Sequence, residues 1–160
     1  MKKYMLILFS YGGLKKINKH IKKRLKQNDK LFVRAVMLEK VPKLSEHLIS
    51  DTGVLGKKVV NDVEDSVVDI YQENAKSYIK ELKKMAAERN FELDEKLIMD
   101  HNLERLKKEV KASELDGIFI NFSHNEFISN QVKEDEIKNW LQKIELKQDI
   151  FYDGEIEKNK

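Results

Sequence analysis

The sequence predicts an α/β fold: a single three-layer domain with a five-stranded parallel sheet in the order 3-2-1-4-5. Three observations carry this. Short apolar runs alternate with amphipathic helical stretches along the whole chain, the pattern of a parallel sheet covered on both faces. Two of the runs, Tyr4–Phe9 and Gly117–Phe122, are continuously apolar but for Asn121, the pattern of strands buried on both faces. One proline and six glycines in 160 residues leave room for few loops and long regular elements.

Taken in order, Tyr4–Phe9 closes at Ser10-Tyr11-Gly12-Gly13, so a first strand turns there into a helix. Leu14, Ile17, Ile21 and Leu25 then recur at helical spacing, with lysines on the opposite side. Asn28-Asp29 turns the chain into a second strand, Leu31–Leu38, rich in branched and aromatic residues. Residues 40–60 hold Pro42, Gly53 and Gly56 and are expected to form a long loop, with a helical turn around Lys43–Ile49. A long helix is expected from about Asp62 to Arg89, acidic in its first turn and basic near its end, as the helix dipole favours.

Leu93–Met99 alternates as a half-exposed edge strand does. Asn102–Ala112 is a helix with Leu103, Leu106 and Val110 inward, and Gly117–Phe122 is the fourth strand. The polar stretch Ser123–Lys133 leads to a helix over Glu134–Lys143 carrying Ile137, Trp140 and Leu141. Ile150–Tyr152 makes a short fifth strand at the far edge. The domain is thus expected over residues 1–153, with 154–160 as a charged, frayed tail. In the order 3-2-1-4-5 the topological switch point, where ligands of such folds bind, lies between strands one and four.

Composition narrows the function classes. A chain without cysteine has neither disulfides nor thiolate metal ligands and suits a reducing compartment, so the expected location is cytoplasmic. The apolar start is too short for a secretory or membrane-spanning segment, and no membrane insertion is expected. Charged residues reach 37%, well above the usual quarter, yet bases and acids nearly balance at a net +3. That describes a solvated, ion-paired surface better than a nucleic-acid binder. The lysines at 15, 16, 19, 22, 23 and 26 with Arg24 form a stripe on the first helix that could track phosphates or an anionic surface. The stripe lacks interleaved aromatics, and the acidic cluster Asp62–Glu73 offers it a counterpart, so nucleic acid is an unfavoured partner.

The order of elements, the Asp116-Gly117-Ile118-Phe119-Ile120 strand, the long segment after strand two and the final helix and strand resemble the universal stress protein family over residues 2–153. The resemblance implies an adenine-nucleotide-hydrolase-like fold and, in ATP-binding members, a phosphate cradle: an acidic residue ends strand one, and after strand four come Gly, two residues, Gly, nine residues, then Gly and Ser or Thr. Here the corresponding stretch runs from Asn121 through His124 to about Glu134-Asp135 without a glycine, and its closing acidic pair would repel phosphate. Ser10 or Tyr11 replaces the acidic residue, and Asp100 replaces the glycine after strand three. The expectation is a divergent, non-catalytic member that does not hold ATP in the family manner and needs no cofactor. The alternative is a nucleotide (ATP or AMP) binder with a cradle rebuilt from Gly12-Gly13, the Gly53/Gly56 segment and Ser123.

Any small ligand is expected at the switch point, against Ser10, Tyr11, Gly12, Gly13, Met37, Asn121, Ser123 and His124. Gly12-Gly13 opens a helix and could hold an anion on free amides, with Lys15 and Lys16 nearby, although two glycines also serve simply to turn the chain. His20, His47, His101 and His124 lack metal-ligand spacing; in the expected order His101 and His124 stand roughly 14 Å apart, and no metal or nucleophile pair is expected. The family's last strand often pairs with its twin, and Ile150, Phe151 and Tyr152 would be an exposed apolar edge if bare. The expected partners are therefore a second copy, through those residues, and possible protein contacts.

Overall fold

The computed structural model describes residues 1–37, 57–99, 103–125 and 133–157, with side chains of residues 57–67 outside the description. Its elements are β1 (Lys3–Leu8), α1 (Leu14–Arg24), β2 (Lys30–Met37), α2 (Lys57–Arg89), β3 (Glu92–Met99), α3 (Leu103–Ala112), β4 (Gly117–Phe122), α4 (Glu134–Gln142), β5 (Lys147–Tyr152) and β6 (Glu155–Ile156). The sheet has six strands in the order β3-β2-β1-β4-β5-β6. All pairings from β3 to β5 are parallel, and β6 returns antiparallel along β5, with Phe151 facing Ile156 and Tyr152 facing Glu155.

The expected order of the first five strands is therefore observed, but the five-stranded, purely parallel sheet is corrected to a mixed sheet of six. The reason is local. Asp153-Gly154 follows Tyr152 directly and takes positive φ at both residues, 46° and 86°, which is what a two-residue type I′ hairpin turn requires. Residues 155–156, expected in a frayed tail, thereby become a strand, and β5 is no longer the edge. The expected long loop over residues 40–60 and its helical turn fall mostly outside the described residues; within them, α2 begins at Lys57, directly after Gly56, rather than near Asp62.

Side chains alternating along β1 and β4 divide the core between two faces. Met5, Ile7 and Phe9 of the first run join Ile118, Ile120 and Phe122 under α3 and α4, through Leu106, Val110, Ile137 and Leu141. Tyr4, Leu6 and Leu8 join Phe119 under α1 and α2, through Ile17, Ile21, Tyr78, Leu82 and Met85. Burying one such side chain contributes roughly 1.5–3 kcal/mol, so these two layers dominate the stability.

A cation is also buried. Arg34 of β2 is 2% exposed and bonds the Asp94 carbonyl at 2.9 Å, the Asp94 carboxylate at 3.2 Å and Glu109 of α3. Its guanidinium also lies 5.5 Å from the Phe32 ring centroid. Such a desolvated ion survives because its donors are occupied.

Candidate functional site

The switch point lies at the carboxyl ends of β1 and β4, and the chain folds over it there. The turn from β1 into α1 needs Gly13 at φ 69°, a left-handed conformation that α1 uses in place of a side-chain cap. A Cβ on Gly13 would stand 1.8 Å from the Asp153 carbonyl oxygen, and one on Gly154 would stand 2.2 Å from the Gly13 carbonyl oxygen. The β5–β6 turn is thus in backbone contact with the start of α1, and both glycines are there because no side chain fits between the two segments.

Asn121 holds that contact together. It sits in β4 with no exposure, and its side-chain amide donates to the carbonyls of Ser10 at 2.9 Å and Gly12 at 3.1 Å. Its side-chain oxygen accepts from the Gly154 N–H at 3.0 Å. Its backbone carbonyl accepts from the N–H groups of Phe9 and Ser10. Both donors of the side chain are used and its oxygen is engaged.

Asp153 fills the remaining space. Its carboxylate accepts from the Ser10 hydroxyl at 2.6 Å and from the His124 backbone N–H at 3.0 Å. Ser10 in turn accepts from the Gly12 N–H at 3.1 Å, and the Asp153 N–H donates to the Phe122 carbonyl at 2.9 Å. A carboxylate held by hydroxyl and amide donors beside a helix N-terminus is what a bound anion would look like there; here the chain supplies it. Ser10 is one of the two positions, with Tyr11, where the resemblance places an acidic residue, and Asp153 brings an acid to it from 143 residues away.

Of the eight sequence-predicted site residues, Ser10, Gly12, Gly13, Asn121 and His124 meet through this network. Asn121 and Ser10 are core connectors rather than groups facing an opening. Ser123 accepts from the Asn125 N–H at 3.1 Å. Tyr11 and Met37 lie to one side: the Tyr11 hydroxyl donates to the Val36 carbonyl at 3.3 Å and stands 4.0 Å from the Met37 sulfur, while Met37 packs with Ala35, Ala75 and Ile79. The Tyr11 ring meets Tyr71 edge-on at 4.9 Å, and the Tyr71 hydroxyl donates to the Phe9 carbonyl. Burial pushes the Tyr11 phenol well above its ordinary range, with Tyr71 adding to the effect, and burial likewise raises Tyr71, with the Asp153 charge adding. Both are neutral donors at physiological pH.

Two residues of the α1 stripe pair with acids of β5 and β6, and the side chains at 62–67 of the expected acidic counterpart lie outside the described residues. Lys16 pairs with Glu155 of β6 at 3.0 Å. Arg24 and His20 share Asp149 of β5, at 3.1 and 2.8 Å. His20 also packs edge-on against Phe119 and Phe151, so it belongs to the α1–β5 contact and not to a metal site. Among the described residues no cluster of three or more His, Cys, Asp or Glu could hold a metal ion, and no helix is long and apolar enough to cross a membrane. His47 and His101 lie outside the described residues.

The expected dimer edge is placed differently. Phe151 is buried among Leu6, Leu8 and Phe119, Ile150 packs against the α4 face of the core, and the Tyr152 hydroxyl donates to Glu134. β6 covers their backbone: beyond the Phe151–Ile156 and Tyr152–Glu155 pairs, the Glu157 N–H donates to the Ile150 carbonyl at 2.7 Å. The outermost apolar side chain on this side is Ile156, 47% exposed.

Asp153 and Gly154 are the site residues that sequence reasoning missed. Their signal was the Asp-Gly pair directly after a strand, a strong local hairpin signature.

No family model and no curated protein matches the chain. Among solved structures, it is similar to the hypothetical protein MJ0577, the subject of a structure-based assignment of biochemical function, with a TM-score of 0.56 at 17% identity over 100% of this chain and 99% of that one. It is also similar to the hypothetical protein PH0823, with a TM-score of 0.44 at 15% identity over 99% of this chain and all of that one. At this identity the likeness to MJ0577 shows the α/β fold and nothing finer.

Proposed function

We propose that this chain is a non-catalytic domain of universal-stress-protein type that does not take ATP in the family manner and acts through protein contacts or a small ligand. The observation that carries the reading is the Asp153 carboxylate, seated between Ser10 and His124 at the mouth of the switch point. A triphosphate entering there would meet a fixed negative charge and would have to break the Asn121–Gly154 bond to displace it. The broken glycine pattern over Asn121–Asp135 points the same way. A homodimer is part of the reading, with the outer side of β6 and Ile156 as its contact in place of Ile150–Tyr152; sedimentation velocity at micromolar concentration tests that part separately.

The test of the ligand reading is thermal unfolding with and without millimolar ATP, ADP or AMP, each with magnesium. A nucleotide at 100 times its dissociation constant adds about 2.7 kcal/mol, a shift of roughly 5–10 °C for a domain of this length. The expected result is no shift with any of the three. A clear shift would replace this reading with that of a nucleotide binder with a rebuilt cradle.

A further inference from the structure

At the opposite end of the sheet from the switch point, a cavity of about 560 Å³ opens between the carboxyl ends of α3 and α4. Its floor is apolar: Val110 and Leu115 are buried in the core, and Trp140, Ile144 and Leu146 pack partly exposed against them. Its rim carries four lysines, at 107, 108, 111 and 143, against two glutamates, Glu114 and Glu145. The volume lies within the range that holds a small ligand and far exceeds what one water fills.

The lysines are not needed to close the helices. The last carbonyls of α4 are served by the chain itself: Trp140 by the Lys143 N–H at 3.0 Å, and Leu141 by the Ile144 N–H at 3.1 Å and the Gln148 amide at 2.7 Å. In α3 the Glu109 carbonyl accepts from both the N–H and the hydroxyl of Ser113. Lys107 is engaged by Glu104 at 3.1 Å and lies 6.0 Å from the Trp140 ring centroid, a cation–π distance. Lys108, Lys111 and Lys143 make no ion pair among the described residues, although two glutamates stand on the same rim. The outcome is an apolar slot with an excess of unpaired cations at its mouth.

We propose that this cavity binds a small amphipathic anion: a molecule with an unbranched or flat apolar body and one carboxylate. The body would displace water from Leu115, Trp140 and Leu146, and the carboxylate would meet Lys111 and Lys143. Apolar burial drives such binding at about 25 cal/mol per Å², and the lysines select acid over neutral amphiphile. The site shares no residue with the switch point and does not depend on the reading of that region.

Trp140 is the sole tryptophan of the chain, so its fluorescence reports on the cavity directly. The experiment titrates the full chain with monomeric decanoate and, in parallel, with decanol, reading Trp140 emission and thermal midpoint. Decanoate is expected to give a saturable change in emission and a rise in midpoint, and decanol is expected to bind at least tenfold more weakly. The variant K111E/K143E alters two exposed side chains, keeps the fold, and is expected to lose decanoate binding at least tenfold while decanol binding stays as in the parent. No saturable response to decanoate, equal response to decanol, or an unaffected K111E/K143E would each overturn the proposal. So would a response to anionic phospholipid vesicles with none to monomeric decanoate, which would assign the lysines to a membrane surface.

Discussion

Replacing Asn121 by alanine would remove three hydrogen bonds from a fully buried position and leave the Ser10 and Gly12 carbonyls and the Gly154 N–H without those partners. At about 1 kcal/mol per bond, plus the penalty for buried groups left unpaired, the loss is roughly 3–5 kcal/mol. That is a large part of the 5–15 kcal/mol that stabilises an ordinary domain. It corresponds to a fall of roughly 6–20 °C in the thermal midpoint at this chain length. Urea denaturation followed by far-ultraviolet circular dichroism measures it directly. Asn121→Asp sharpens the test. An introduced carboxylate keeps an acceptor for the Gly154 N–H but turns oxygen toward the two carbonyls, so the folded state raises its pKa. The penalty is then absent below the unfolded value near 3.9 and grows as pH rises through the folded value. The variant is expected to approach the parent's stability near pH 4 and fall away from it by pH 7. An alanine variant that loses less than 1 kcal/mol, or an aspartate variant with the parent's pH profile, would refute the assignment of Asn121 as an internal clamp.

Two further outcomes follow from neighbouring contacts. Gly154→Ala places a Cβ 2.2 Å from the Gly13 carbonyl oxygen at φ 86°, so it is expected to cost well over the 1–2 kcal/mol of left-handed backbone alone and to release β6, read as faster amide exchange at Glu155–Glu157. For Asp149, burial raises the carboxyl, but the hydrogen bonds and charges of His20 and Arg24 outweigh it and hold the group below its ordinary value. The stability it contributes is therefore present above about pH 4 and lost as pH falls through the lower folded value; Asp149→Asn is expected to flatten that acid limb, read as the slope of stability against pH below about pH 4.

Much of the frame was legible because its signals are local. The dominantly apolar runs Tyr4–Phe9 and Gly117–Phe122 pointed to the centre, and the alternation at Leu93–Met99 placed β3 at an edge. The inward faces of α1, α3 and α4 followed from spacing alone, with Ile17, Ile21, Leu106, Val110, Ile137 and Leu141 all buried. What stayed hidden depends on partners far away in the chain. Asn121 lies at the carboxyl end of β4, but whether its amide faces a ligand or the backbone depends on Ser10, Gly12 and Gly154, up to 111 residues distant. The burial of Arg34 depends on Glu109, 75 residues away. β6 escaped notice because a two-residue strand draws its stability from the sheet edge and not from its own charged sequence. α2 starts early because nothing between Gly56 and Asp62 stops a helix, and acidic first-turn residues are a preference rather than a requirement.

Asp153 and Asn121 fill the carboxyl ends of β1 and β4 from within the chain. A ligand there stabilises the fold by an amount that grows with the logarithm of its concentration over its dissociation constant, which ties stability to the supply of ligand. A carboxylate delivered by the chain is present at high effective concentration whether or not a ligand is supplied. The lysines at the start of α1 fit this account: they oppose the helix dipole, which suggested an external anion, but Asp153 and Glu155 bring negative charge to that end from the β5–β6 hairpin. Opening the site therefore means pulling β6 off the sheet, at the expense of the Asn121–Gly154, Ser10–Asp153 and Lys16–Glu155 contacts together. A domain wired in this way couples its switch point to the strand at its outer edge. An anion forced into the site and a partner bound at β6 would then act on one and the same contact, Asp153–Gly154 against Gly12–Gly13.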